Sequence, residues 1–134
     1  CYAVGLASVE EIDRMNIFRA TLLAMERAVM GLLPAPVRIV VDGKHTPRAA
    51  CPAEAIIKGD ATVPAIMAAS IIAKVTRDRL MDELAIEFPA YGFQQHRGYP
   101  TAAHLAALTL HGPSRVHRRS FRPVRLLLEY GHET

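Results

Sequence analysis

Apolar residues recur along this chain at two periods, and the switches between them predict its elements. Residues 2–7, Tyr-Ala-Val-Gly-Leu-Ala, are short and mostly apolar and predict a strand. Ser8 and Glu11 then stand three apart, the pattern of a reciprocal helix cap. Ile12, Met15, Phe18, Leu22, Met25 and Val29 follow at spacings of three and four. They predict one helix over residues 9–30, ended by Gly31. Asn16 and Arg19 ride on it, either as solvated surface or facing a ligand. Leu33-Pro34-Ala35-Pro36 is a stiff connector. Residues 37–41 are rich in β-branched side chains and predict a strand that runs into Asp42-Gly43-Lys44. Residues 44–53 read as an irregular loop and residues 53–58 as another strand.

The chain is organised around the next stretch. Thr62 can cap a helix, and Pro64 suits a first helical turn, where a missing N–H costs nothing. Nothing breaks the helix from there to Phe88, and Pro89 stops it. That is about 24 residues, or roughly 36 Å. Ser70, Lys74, Arg77 and Asp78 fall on one side of it. Residues 90–101 hold too many glycines and aromatics for a helix and predict a loop. Thr101 then caps a short helix over 102–110, closed by His111-Gly112-Pro113. Residues 114–122 are basic with one aromatic. Pro123 starts a last helix to about Tyr130, and residues 129–134 read as short and weakly structured.

The order strand, helix, strand, loop, strand, long helix is an α/β pattern. It predicts a single domain over residues 1–134, with an α/β core over about 1–89 and a loop-helix region over about 90–134. Three strands make a thin sheet with exposed edges, which predicts either further sequence upstream or self-association through a sheet edge. The missing initiator Met points the same way.

Composition narrows the function. At 134 residues with 51% hydrophobic and 22% charged, the chain can bury a core and is not disordered. Its net charge of +3 suits a polyanionic partner. Two cysteines, Cys1 and Cys51, without Cys-x-x-Cys spacing argue against a disulfide framework and a zinc site. No apolar run reaches transmembrane length. The reading is a soluble, cytoplasmic protein with no membrane partner.

Three features carry chemistry. Asp42 ends a strand, where open α/β sheets place functional groups, or it begins an Asp-Gly turn. Asp78 is a carboxylate beside Lys74 and Arg77, either a surface ion pair or part of a site. Two carboxylates suit a hard divalent cation; in two-metal sites one ion activates water while the other steadies the leaving oxygen, and two carboxylates are too few to hold two ions without further ligands. Lys44, Arg48, Lys58, Lys74, Arg97, Arg118 and Arg119 are phosphate contacts or scattered solubilising charge. Tyr99, between Gly98 and Pro100, either stacks on a nucleotide or covers the edge of the core.

With those residues in place the chain resembles the ribonuclease HII family. The resemblance runs through Glu11-Ile12-Asp13, Asn16-Ile17, Ala20-Thr21-Leu22-Leu23-Ala24-Met25, Val41-Asp42-Gly43 and Lys58-Gly59-Asp60. It continues through the stretch Ala68-Ala69-Ser70 to Arg77-Asp78, Tyr91-Gly92-Phe93, His96-Arg97-Gly98-Tyr99-Pro100-Thr101 and His117-Arg118-Arg119-Ser120-Phe121. It implies a ribonuclease H-like fold: an incomplete mixed sheet flanked by helices, with a C-terminal helical segment. It implies a metal-dependent endonuclease, using Mg²⁺ or Mn²⁺, that cuts RNA in RNA–DNA hybrids and ribonucleotides embedded in duplex DNA. Asp42 and Asp78 resemble the third and fourth active-site carboxylates and metal ligands. Tyr99 resembles the tyrosine that stacks on the deoxyribose beside the ribonucleotide. Lys58 and Lys74 are carried over as phosphate or active-site contacts, and Arg97 and Arg118 join them as nucleic-acid contacts on their charge. Family members also carry an Asp-Glu pair followed by Gly-Arg-Gly, and residues 1–134 contain no such combination. The chain therefore resembles an N-terminally truncated member, expected to be inactive or weak alone. The alternative is a non-catalytic nucleic-acid-binding fragment that needs a partner segment.

Overall fold

The computed structural model describes residues 1–130. The elements are α1 (Val9–Met15), α2 (Ile17–Met30), β1 (Ile39–Asp42), β2 (Ala53–Ile56), α3 (Gly59–Thr62), α4 (Pro64–Glu87), α5 (Phe93–His96), α6 (Ala102–His111) and α7 (Arg122–Tyr130). A 3₁₀ turn, Pro89–Tyr91, sits between α4 and α5. The chain divides into two compact units, Cys1–Ala73 and Lys74–Thr134.

In the first unit the reciprocal cap forms as its spacing predicts. The Glu11 N–H donates to Ser8 Oγ, and the Ser8 N–H donates to Glu11 Oε1. The single helix predicted over 9–30 is two helices. Asn16 breaks it at φ 95°, ψ 165°, a region nearly reserved for glycine, and its Oδ1 caps α2 by accepting from the Arg19 N–H. Periodicity could not reveal this break, because the apolar spacing continues through it.

Residues 2–7 are not a strand. They run unpaired along α2, where an alanine stripe receives them. A Cβ on Gly5 would lie 2.0 Å from the Ala24 carbonyl oxygen and 2.5 Å from the Ala28 nitrogen. Only a glycine lets the two backbones approach this closely. Arg27 secures the arrangement: its guanidinium donates to the Leu6 carbonyl and bidentately to Glu11. The Arg27 hydrogen bonds, helped by the Ser8 N–H, hold the Glu11 carboxyl down to about 2.

Among the described residues the sheet has two strands, β1 and β2, parallel and in the register Ile39↔Ala53 to Asp42↔Ile56. Ile39 and Val41 are buried between exposed or half-buried neighbours. After β2 the expected cap at Thr62 does not form. Lys58 takes a left-handed conformation, α3 makes one turn, and Val63 separates it from α4. Helix α4 covers 24 residues and ends before Pro89, as predicted.

In the second unit the core is Tyr91, Phe93, Leu108 and Val124, with Leu84, Phe88, Val116 and Leu127 packed against it. The predicted loop over 90–101 is half helical, because Tyr91 and Phe93 are core residues held by the 3₁₀ turn and α5. Thr101 caps α6 by accepting from the His104 N–H, as predicted. The reading of residues 129–134 as weakly structured lies largely outside the described residues; Glu129 and Tyr130 are helical.

Candidate functional site

In the first unit Asp42 is the last residue of β1 and is exposed, at the carboxyl end of a parallel strand pair. The Gly43 N–H extends the ladder by donating to the Ile56 carbonyl at 3.0 Å. The Lys58–Gly59 turn closes on this end. A Cβ on Gly59 would stand 2.6 Å from Ile66 Cδ1 and 3.6 Å from Asp42 Cα, so the turn lies against the residue that bears the carboxylate. Lys58 holds φ 56° and is exposed. A left-handed lysine costs roughly 1 kcal/mol relative to glycine, and such strain is common where a side chain must be aimed.

In the second unit Lys74 Nζ lies 3.5 Å from Asp78 Oδ2, one helical turn away. Asp78 is half-buried and Lys74 largely exposed. Arg97 reaches the same stretch of helix. Its guanidinium donates to the Asp78 carbonyl and to Asp82 Oδ1, each at 2.7 Å. Arg97 too is left-handed, at φ 54°, and its own carbonyl accepts from Arg77 Nη2 at 3.4 Å. Its side chain is therefore tied to α4 and only 30% exposed. Gly98 follows at φ 83°, and Tyr99 stands 64% exposed. A ring this exposed does not cover the edge of the core and leaves its face open to solvent. Arg118 lies over the Phe121 ring at 5.1 Å, a cation–π contact.

The grouping of site residues is thus Asp42 with the Lys58 turn in the first unit, and Lys74, Asp78, Arg97 and Tyr99 in the second. Among the described residues no three of His, Cys, Asp and Glu gather as a ligand set. The carboxylates fit a hard cation in kind, and not by themselves in number.

A buried histidine chain carries no prediction from the sequence. His96, His104 and His117 are all buried. The His96 and His104 rings stack at 4.1 Å, and Nε2 of His104 and Nε2 of His117 are 3.0 Å apart. Burial, reinforced by the neighbouring imidazoles, pushes His117 down to about 4, and burial also lowers His104. The available signal was the concentration of histidines in the last third of the chain. Their spacing matches no helix or strand period, so nothing in the pattern brought them together.

The comparisons with known proteins agree with this architecture. A family model described as ribonuclease HII matches residues 2–124. A ribonuclease HII of Nitrosospira multiformis is 57% identical over 127 residues, covering 95% of this chain and 64% of that protein. One from Delftia acidovorans is 60% identical over 124 residues, covering 92% and 53%. The chain thus spans between about half and two-thirds of the length of these relatives. Among solved structures, the ribonuclease H2 from Pyrococcus horikoshii is similar with a TM-score of 0.74 at 24% identity, covering 95% of this chain and 68% of that one. The fold is accordingly ribonuclease H-like, α/β with a small parallel sheet among helices. With the family match running over nearly the whole chain, this chain belongs to the ribonuclease HII family.

Proposed function

We propose that the protein from which this sequence comes is an endoribonuclease of the ribonuclease H type. Its substrates are RNA–DNA hybrids and duplex DNA carrying single ribonucleotides. The reading is carried by one observation above all: an exposed aspartate at the carboxyl end of a parallel strand, with a strained lysine turn pressed against it. Open α/β sheets place their ligands at such strand ends. A lysine beside a carboxylate suits a phosphodiester, whose anionic oxygens meet the ammonium while the carboxylate holds a cation.

In this reading Asp42 and Asp78 are oxygen donors to Mg²⁺ or Mn²⁺, among further ligands. When bound, such an ion would supply a more acidic water and a counter-charge to the phosphate. Lys58 and Lys74 supply positive charge along the backbone of the nucleic acid. Tyr99 offers its exposed face to the sugar beside the ribonucleotide. Arg118 contributes charge next to Phe121, and Arg97 acts mainly by anchoring the Tyr99 turn to α4. The product ends would be a 5′-phosphate and a 3′-hydroxyl. Because the two carboxylates fit a cation in kind but not in number, residues 1–134 alone are expected to cut weakly or not at all.

The second reading, a non-catalytic nucleic-acid-binding fragment, draws on the braced and exposed Tyr99 turn, which has its own scaffold within residues 74–130. One experiment separates the two. A labelled duplex with one ribonucleotide is incubated with the chain and Mn²⁺ or Mg²⁺, alone and with an added segment bearing an Asp-Glu pair and Gly-Arg-Gly, beside Asp42→Asn, and binding is titrated at two salt concentrations. A cut 5′ of the ribonucleotide that disappears in Asp42→Asn supports the nuclease. Salt-dependent binding with no cut even in the presence of the added segment supports the binding fragment. Neither binding nor cutting refutes both.

A further inference from the structure

The exposed ring of Tyr99 gains nothing from the core, so its direction depends on its backbone. That backbone is held at successive points. The Gly98 N–H donates to Nδ1 of His96 at 3.1 Å. The Tyr99 N–H donates to the His96 carbonyl at 2.9 Å, and the Tyr99 carbonyl accepts from the Thr101 N–H at 2.8 Å. The same carbonyl lies 2.9 Å from Nδ1 of His104.

These contacts fix the tautomers of all three histidines. His96 accepts at Nδ1, so its proton sits on Nε2 and donates to the Tyr91 carbonyl at 2.5 Å. His104 donates from Nδ1 to the Tyr99 carbonyl, so its Nε2 is an acceptor. His117 accepts at Nδ1 from the Ser114 N–H at 3.0 Å, so its Nε2–H supplies the proton His104 needs. Every ring nitrogen is used, with no surplus proton and no unmatched acceptor.

We propose that His96, His104 and His117 are positioning residues for Tyr99, holding the backbone on both sides of it so that its ring meets the nucleic acid in one orientation. Apolar residues of similar size would fill this core without the cost of burying six ring nitrogens. What the imidazoles add is a directed donor at the Tyr99 carbonyl and a directed acceptor at the Gly98 N–H. A turn ordered in advance spares the complex that entropy cost. The inference rests on the reading of Tyr99 as a stacking residue.

The test is a double-mutant cycle on binding, using the 134-residue chain and a fluorescent duplex with one embedded ribonucleotide. His104→Asn keeps a donor where Nδ1 stands. His104→Gln keeps a group where Nε2 stands and loses the bond to Tyr99. Thermal melts confirm that each variant is folded at the assay temperature. The proposal expects Tyr99→Ala to weaken binding about tenfold. His104→Gln should weaken it about fivefold and His104→Asn should stay near wild type. In the Tyr99→Ala background His104→Gln should change affinity by less than about twofold. An equal effect of His104→Gln with and without Tyr99, or equal losses in Asn and Gln, would overturn the proposal and leave the role of Tyr99 standing. If Tyr99→Ala binds like wild type, or wild type does not bind, the reading of Tyr99 falls and the proposal with it. Should the His104 variants not fold, His96→Asn against His96→Gln repeats the comparison at the Gly98 N–H. Asn keeps the acceptor and Gln loses it, so the same coupling to Tyr99 is expected from Gln alone.

Discussion

Acid should loosen the second unit through His117, and the size of the effect follows from the structure. Its Nδ1 accepts from the Ser114 N–H, so protonation there sets two donors against each other. Protonation of His104 at Nε2 would do the same against the His117 N–H. Burial first, then the neighbouring His104 and His96 imidazoles, hold His117 near 4 against an ordinary 6.5. Between those values the unfolded chain binds a proton that the folded chain does not, so stability is complete above pH 6.5 and falls as pH drops toward 4. At about 1.4 kcal/mol per pH unit the loss approaches 3 kcal/mol for His117 alone. His104, lowered by burial, adds to it in the same direction. His117→Gln keeps a donor toward His104 and cannot take up the proton. It strands the Ser114 N–H, which costs about 1–2 kcal/mol at pH 7.5. Urea unfolding of both chains from pH 7.5 to 4.5 at constant ionic strength tests this. The wild-type advantage at pH 7.5 should shrink by roughly 2–3 kcal/mol and reverse sign near the acid end. Carboxylates titrate in both chains and cancel in the difference. A difference that stays constant across the range would refute the neutral histidine chain.

Other substitutions probe the backbone. Gly5→Ala drives a methyl into the Ala24 carbonyl at 2.0 Å, so residues 2–7 should lift from α2 at a cost of about 1–3 kcal/mol, read as a lower melting temperature. Asn16→Gly should stabilise by about 1 kcal/mol, because it relieves a glycine-like conformation and weakens the cap only slightly. Asn16→Ala loses the cap and keeps the strain, so it should destabilise; equal melting temperatures for the two variants would contradict this account. Lys58→Gly should raise stability by about 1 kcal/mol while weakening duplex binding, and a stabilised variant with unchanged binding would remove Lys58 from the site.

How much of this was legible depended on whether the controlling interaction was local. The cap at Ser8 and Glu11, the span of α4 and the Thr101 cap are set by neighbours within four residues, and the sequence pattern carried them. Asn16 escaped because a one-residue break leaves the apolar spacing nearly intact. Residues 2–7 have the composition of a strand, yet what they dock on is a stripe of alanines on α2, and small residues carry no weight in a hydrophobic pattern. The glycines around Tyr91 and Phe93 predict a loop. Those glycines instead supply positive φ between short helical turns that bury both rings. For the candidate site, the pattern marks Asp42 by its place at a strand end and Tyr99 by its place in a Gly-Pro turn, and the structure puts Asp42 at the end of β1 and leaves Tyr99 exposed. The tie from Arg97 to Asp78 and Asp82 spans up to 19 residues, and the histidine chain joins α5, α6 and the turn before α7, so neither leaves a local trace.

The two candidate groups share a construction that makes the functional argument stronger than either residue alone. Lys58 and Arg97 are both left-handed and both precede a glycine, Gly59 packed tightly against Ile66 and Gly98 itself at positive φ in ordinary contact with Arg77 and Met81. Neither glycine could carry a side chain without displacing its neighbour or straining its backbone. Two strained cations on two tight turns, each beside a residue of the proposed site, cost the fold free energy twice. A fold that only needed these turns would place glycine or asparagine at the left-handed positions, as turns commonly do. The retention of long basic side chains there is explained if Lys58 meets phosphate and Arg97 anchors the turn that carries Tyr99. It also orders the effects of mutation: glycine at 58 should gain stability and lose binding, whereas glycine at 97 relieves the same strain but gives up the bonds to Asp78 and Asp82, and should gain neither.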